Sequence, residues 1–270
     1  MSRARGCRLF GVTRAGYYAW RARPESAHAQ QDRWLLRRIR RVFTAHGGRY
    51  GAPRVHHALT QDGVIVSRRR VARLMREADL RGKAVRGYRS CRGVHRFYEQ
   101  QPNRVRRMRA TAPDQIWVGD ITYLAVAGRW RYLTVILDQF SRRVLAWTLT
   151  RRRDATITRH VLNAAVGRRH PNRGLIFHSD RGSEYLAVRF RDRLADLGIL
   201  QSANTRGPGD NAHMESFFHS LKAETTRGMT FATETALRAV LQRYVRYYNH
   251  ERLHSALGYQ SPAAFEALAA

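Results

Sequence analysis

From Pro113 onward the chain alternates short apolar runs with turn residues. Residues 115–124, QIWVGDITYL, gather Ile116, Trp117, Val118, Ile121, Tyr123 and Leu124 into one run of β-branched, aromatic and aliphatic side chains, which predicts a buried strand. RWRYLTVILDQFS and RRVLAWTLT follow across short turns, predicting an antiparallel meander. Apolar positions then shift to helical spacing from Asp154 to about Gly167, with Ile157, Val161, Ala164 and Ala165 on one face. GLIFHSD predicts a fourth strand ending at Asp180. Ser183 is placed to cap a helix carrying Leu186, Phe190, Leu194 and Leu197, and ILQSA forms a short fifth strand. The turn TRGPGDN leads into a helix over NAHMESFFHSLKAET. A last long helix is expected from about Thr233 to Asn249, with Leu237, Val240, Leu241, Tyr244, Val245 and Tyr248 on its apolar side.

Before Pro113 the pattern is helical. CRLFGVTRAGYYAWRARP holds a Gly-Val-Thr turn between short apolar stretches and stops at Pro24. DRWLLRRIRRVFTAHGGRYG, APRVHHALTQDG and VSRRRVARLMREADLRG follow. In the last, Ser67 is an N-cap, Val71, Leu74, Met75 and Ala78 repeat at helical spacing, and Gly82 is a stop signal. A helix, a turn containing Gly63 and a second helix outline a helix-turn-helix that presents Arg68, Arg69 and Arg70 at its start; an ordinary bundle with a basic solvated face is the alternative. Residues 83–112 lack periodicity and read as a basic linker. The expected organisation is therefore a helical DNA-binding region over 1–82, the linker over 83–112, a catalytic core over 113–230 and a helical extension over 231–270. The core's element order is that of a ribonuclease-H-like α/β fold, a mixed five-stranded sheet flanked by helices.

Composition selects the partner. The 270 residues carry 50 Lys+Arg against 20 Asp+Glu, a net charge of +30, and all the basic residues but Lys83 and Lys222 are arginine. Charge of this size points to a polyanion, because neutralising phosphates releases condensed counterions. A membrane surface is the weaker alternative: no apolar run approaches the roughly 18 residues needed to span a bilayer, and no signal-peptide core follows the N-terminus. Cys7 and Cys91 lie in no paired motif, which argues against a zinc knuckle or disulfide framework and fits a reducing cytoplasm.

Asp120 in the middle of an apolar strand is costly to bury without a partner. Asp180 stands at the end of strand four and Glu215 in the first turns of the helix after strand five. In this topology strands one and four are neighbours, so the three carboxylates converge although 59 residues separate the first two and 34 the last two. Oxygens from rigid elements suit Mg2+, and two ions about 3.5–4 Å apart suit phosphoryl transfer.

WVGDITYL around Asp120, HSDRGSEY around Asp180, DNAHMESFFHSLKAE around Glu215 and YNHERLHSALGYQSPAAFE near the C-terminus resemble the OrfB transposases of the insertion-sequence-three family, whose core is similar to retroviral integrase. GVTRAGYYAW and GRYGAPRV match in the N-terminal part, so the resemblance covers essentially the whole chain. It implies an Asp-Asp-Glu recombinase that depends on Mg2+, with Mn2+ as a substitute, and that cleaves element ends and joins 3′-hydroxyls to target DNA. It also implies terminal inverted repeats as substrate, an OrfA protein or OrfA–OrfB fusion as partner, a homo-oligomer on DNA and a bacterial, nucleoid-associated location. The spacing from Asp180 to Glu215 is one residue shorter than the family's usual one, the difference falling in the TRGPGDNA turn, where Asp210 or Asn211 still caps the following helix.

Secondary candidates surround this set. Lys222 lies two helical turns after Glu215 and shares a face with it and with His219; both are expected to meet DNA, a lysine at this spacing being also a family feature. The alternative for Lys222 is a surface pair with Glu224 or Glu215. His178 and Asn211 are expected to orient the site without binding metal. Asp138 reads as structural, with support of the acid site as the alternative, and Asn249, Arg252 and His254 either touch DNA or tie the last helix to the core. The competing functions are a DNA-binding-only relic and a ribonuclease on the same fold.

Overall fold

A computed structural model describes residues 3–83, 102–106, 108–204 and 211–269. The connector over 84–101, with Cys91, and most of the turn before Asn211, with Asp210, lie outside the described residues. The chain divides into two compact units, Met1–Gly82 and Lys83–Ala270.

The first unit is helical: α1 (Arg3–Leu9), α2 (Arg14–Ala22), α3 (Ala27–Ala45), α4 (Ala52–Gln61) and α5 (Arg68–Glu77). Thr13, Ser26 and Ser67 cap α2, α3 and α5, each accepting a hydrogen bond from a backbone N–H three residues on. Leu35 and Ile39 of α3, Val55 and Leu59 of α4, and Val71, Leu74 and Met75 of α5 are buried and form the core of the unit. Between α4 and α5 the chain turns through Gly63 at φ +77°. Helix α5 ends at Glu77, short of the expected stop at Gly82, because the chain already turns left-handed at Asp79. Gly82 serves close packing instead: a Cβ there would lie 2.6 Å from the Gly51 nitrogen.

The second unit is built on β1 (Ile116–Val126), β2 (Arg129–Asp138), β3 (Val144–Thr150), β4 (Ile176–Ser179) and β5 (Leu200–Ala203), in the order β3-β2-β1-β4-β5. β1–β3 form the antiparallel meander, while β4 runs parallel to β1 and β5 parallel to β4. This is the ribonuclease-H-like topology that the element order predicts. Helix α6 (Ala155–Arg169) is capped by Asp154, which accepts from Thr156 and Ile157 N–H. The helix expected after Ser183 is two: α7 (Ser183–Leu186) and α8 (Val188–Asp196), broken at Ala187, whose extended backbone (φ −60°, ψ 139°) ends one and starts the other. Gly182, not Ser183, holds the N-cap position. Val161, Leu162 and Ala165 of α6, with Tyr185, Phe190 and Leu194, close one core over Trp117, Ile136 and Phe177.

Helices α9 (Ala212–Leu221), α10 (Glu234–His250) and α11 (Pro262–Ala267) complete the unit. A five-residue π-helical turn, Lys222–Thr226, continues α9. Asn249 at the end of α10 accepts from Val144 N–H and donates to Val144 C=O, both at 2.9 Å, so one side-chain amide satisfies the backbone of β3, an edge of the sheet among the described strands.

Candidate active site

Asp120 sits mid-β1, paired across the sheet with Val135, and its Oδ1 accepts from Ile121 N–H at 2.7 Å. The preceding Gly119 is dictated by packing, since a Cβ there would lie 2.5 Å from the Phe177 ring. Asp180 follows the last residue of β4, and its Oδ1 accepts from Gly182 N–H at 3.0 Å. Glu215 projects from the first turn of α9 and is exposed. Burial is the main cause that pushes Asp120 well above the usual carboxylate pKa; the charge of Asp180 comes next, with Glu184 and Glu215 adding to it against the opposing Ile121 hydrogen bond. The charges of Asp180 and Glu215, the other two acids predicted to converge, thus both act on Asp120.

Glu184 is a fourth acid that the sequence reading missed. It is 4 % exposed, accepts from the Ser183 hydroxyl at 3.2 Å and has Arg153 Nε at 3.6 Å. A Cβ on Gly182 would lie 2.8 Å from Glu184 Oε1 and 3.0 Å from Asp180 Oδ1, so both carboxylates crowd the same tight turn. The signal available was its spacing, four residues after Asp180 across a Gly-Ser turn. Tyr185, the next residue, is buried, its hydroxyl without a hydrogen-bond partner among the described residues, and burial, then Asp120 and Asp180, hold its proton on.

Among the described residues no group of three His, Cys, Asp or Glu side chains is drawn close enough to hold a metal ion. Glu215 extends toward solvent and like charges repel, so the expected three-carboxylate ligand set is not closed here. Its chemistry nonetheless suits a hard divalent cation, with oxygen donors only and a carboxyl whose ionisation is opposed by neighbouring negative charge.

Lys222 opens the π turn, half-buried, its ammonium 5.1 Å from the centre of the Tyr123 ring. Burial lowers its pKa, and the Asp120 charge opposes that shift. It does not pair with Glu224, which is buried against Arg252: Arg252 Nη2 donates to Glu224 Oε1 at 2.7 Å, and its Nε donates to both oxygens at 3.1 Å. His219 is partly exposed on α9. His178 is fully buried, its Nδ1 2.9 Å from the Ser202 hydroxyl of β5. Asn211 is the N-cap of α9 by position, yet its side chain makes no cap bond; Nδ2 donates to Gly119 C=O at 3.4 Å, tying the start of α9 to the strand of Asp120. Asp138 is structural: it accepts from Ser141 N–H and hydroxyl and from Asp114 N–H. Of the arginines opening α5, Arg68 and Arg69 are exposed, whereas Arg70 is held by Asp32 at 2.7 Å and is not free to reach a base.

The sheet carries acids on β1, after β4 and on the helix after β5, and residues 110–208 and 215–268 match models described as Integrase core domain. Residues 29–88 match an HTH-like domain. The chain is 36 % identical over 262 residues to the insertion element IS600 31 kDa protein of Shigella sonnei, covering 96 % of each. It is 35 % identical to transposase InsF for IS3A of Escherichia coli strain K12, covering 96 % of this chain and 92 % of that one. The HTLV-2 integrase catalytic core domain, solved in complex with magnesium, matches with a TM-score of 0.45 at 16 % identity, over 58 % of this chain and 99 % of that one. The chain belongs to the IS3-type insertion-sequence transposases, proteins of DNA transposition and integration.

Proposed function

We propose that Asp120, Asp180 and Glu215 are the catalytic carboxylates of an Asp-Asp-Glu transposase and together bind a pair of Mg2+ ions, which Mn2+ replaces. What supports this is that Asp120 on β1 and Asp180 after the parallel neighbour β4 lie at adjoining strands, with Glu215 on α9, and that the charges of Asp180 and Glu215 both oppose ionisation of Asp120. When bound, the metal stabilises negative charge on the reacting phosphate. The chain's own residues do the rest. β1, β4 and α9 fix the acids, the Asn211 bond to Gly119 holds α9 against β1, and Lys222 offers an ammonium to the DNA strand passing the acids. Residues 1–82 recognise element ends, with OrfA or an OrfA–OrfB fusion and further copies of the chain completing the assembly in the bacterial cytoplasm, on the nucleoid. Purified chain should nick an element-end duplex in Mg2+ and not in EDTA; equal nicking in both would refute the metal reading.

Lys222→Ala is expected to weaken end binding by about tenfold and to slow cleavage as well, with Lys222→Arg restoring only part, because a planar guanidinium is not a compact ammonium. Cleavage rates and filter binding on the same duplex check this, and full activity in the alanine variant would make Lys222 an ordinary side chain. Replacing Arg68 and Arg69 with alanine should reduce the preference for element ends over random DNA, worth about 1–3 kcal/mol per base contact. Equal loss on both DNAs in a competition assay would make them phosphate contacts.

A further inference from the structure

Away from the acids, a cavity of about 520 Å³ opens between the segment before β1, the β2–β3 turn and the start of α9. Arg106, Arg109 and Arg142 line it with Asn103, Gln139 and His213, and no carboxylate is among its lining residues. Its volume falls in the range that encloses small ligands, roughly 300–1,000 Å³. Arg142 is its most telling member. The Nη1 of this guanidinium is buried and without a hydrogen-bond partner, which is costly for a charged donor. The Asp138 carboxylate that attracts it is already occupied by Ser141 and Asp114. Arg142 is held in place by a left-handed backbone at φ +65°, and its N–H donates to Asp138 C=O at 3.0 Å. Ala212 and His213 bring the first turn of α9 to the cavity, and the Asn211 side chain does not cap that turn.

We propose that this cavity is a phosphate subsite that seats one backbone phosphodiester of the bound DNA strand through Arg142, with Arg106 and Arg109 at its mouth. A planar guanidinium lining such a cavity takes phosphate oxygens in a fork, and the two exposed arginines add charge that draws the strand in. His213, in the cavity, and Glu215, in the acid cluster, are two residues apart on α9, so a phosphate seated here fixes the strand relative to the acids through one rigid helix. The proposal rests on the reading of the chain as a DNA-cleaving transposase.

The test couples a single phosphate to a single arginine. Full-length wild type, Arg142→Gln and Arg109→Gln are titrated with element-end duplexes carrying one neutral methylphosphonate at successive positions. At one position, neutralisation should weaken wild-type binding by about tenfold and Arg142→Gln binding by less than about twofold, since its partner is already gone, with Arg109→Gln, which loses only a mouth arginine, falling between the two. Arg109 is exposed, so its variant keeps the comparison available if Arg142→Gln does not fold. Losses that are the same in wild type and variants at every position overturn the subsite, as does a wild type without affinity for the end duplex. Mg2+-dependent nicking of the unmodified duplex by wild type is read in parallel. Nicking without coupling removes the subsite alone, whereas coupling without nicking keeps the subsite and removes the catalytic reading.

Discussion

Asp120→Asn, Asp180→Asn and Glu215→Gln are each expected to reduce strand cleavage and joining by more than about a hundredfold while leaving DNA affinity within about twofold of wild type. Each substitution is nearly isosteric and removes one anionic oxygen donor from the cluster around Asp120. The chain's net charge of +30 changes by a single unit, so the long-range attraction for phosphates persists. Asp120→Asn should also raise stability slightly, because burial and Asp180 both work against its ionised form. Its pKa is raised in the fold, so the folded state favours the protonated carboxyl, and the stability cost of ionising it grows as pH rises above the unfolded carboxylate range. Single-turnover cleavage on end duplexes, with binding measured separately and thermal melts alongside, resolves the three effects. Loss of binding in parallel with cleavage would mean that the acids support the fold and not the chemistry.

The second large effect concerns a buried ion pair that the acids do not share. Arg252 and Glu224 are 4 % and 3 % exposed, and the pair is completed by Ser220, which accepts from Arg252 Nη2 at 3.1 Å, and by the Tyr244 hydroxyl, which donates to Glu224 at 3.3 Å. Arg252→Ala leaves a buried carboxylate without its counter-charge, a loss of about 3–5 kcal/mol that lowers the melting midpoint by about 10 °C. Arg252→Met combined with Glu224→Leu should recover most of that stability, because a removed pair leaves no lone charge. The double variant should nevertheless cleave slowly, since Glu224 anchors the π turn that begins at Lys222. A melting curve for the single variant that matches wild type would show the pair to be dispensable.

This network explains what YNHERLHSALGY does in the chain: Asn249 closes the backbone of β3 and Arg252 locks the turn after α9. Sequence left that role open between DNA contact and packing, because an arginine's partner 28 residues upstream has no local signature. The strands and the long helices were legible, since their apolar periods come from burial on one face or two. The ends of elements were less so. The break at Ala187 and the end of α5 at Glu77 depend on backbone angles at single residues, and the π turn at Lys222–Thr226 follows from the anchoring of Glu224. Asp120, Asp180 and Glu215 stood out because each interrupts or ends an apolar element. Glu184 did not, because an acid in the first turn of a helix is ordinary in sequence and only the fold buries it beside Asp120.

The most direct measurement is metal-specific rescue of cleavage by Asp120→Cys. A thiolate is a poor ligand for Mg2+ and a better one for softer divalent ions. Cleavage of an element-end duplex by this variant should be absent in Mg2+ and return in part in Mn2+, while the wild type cleaves in both. Wild-type cleavage by Asp120→Cys in Mg2+ would contradict a metal held by Asp120.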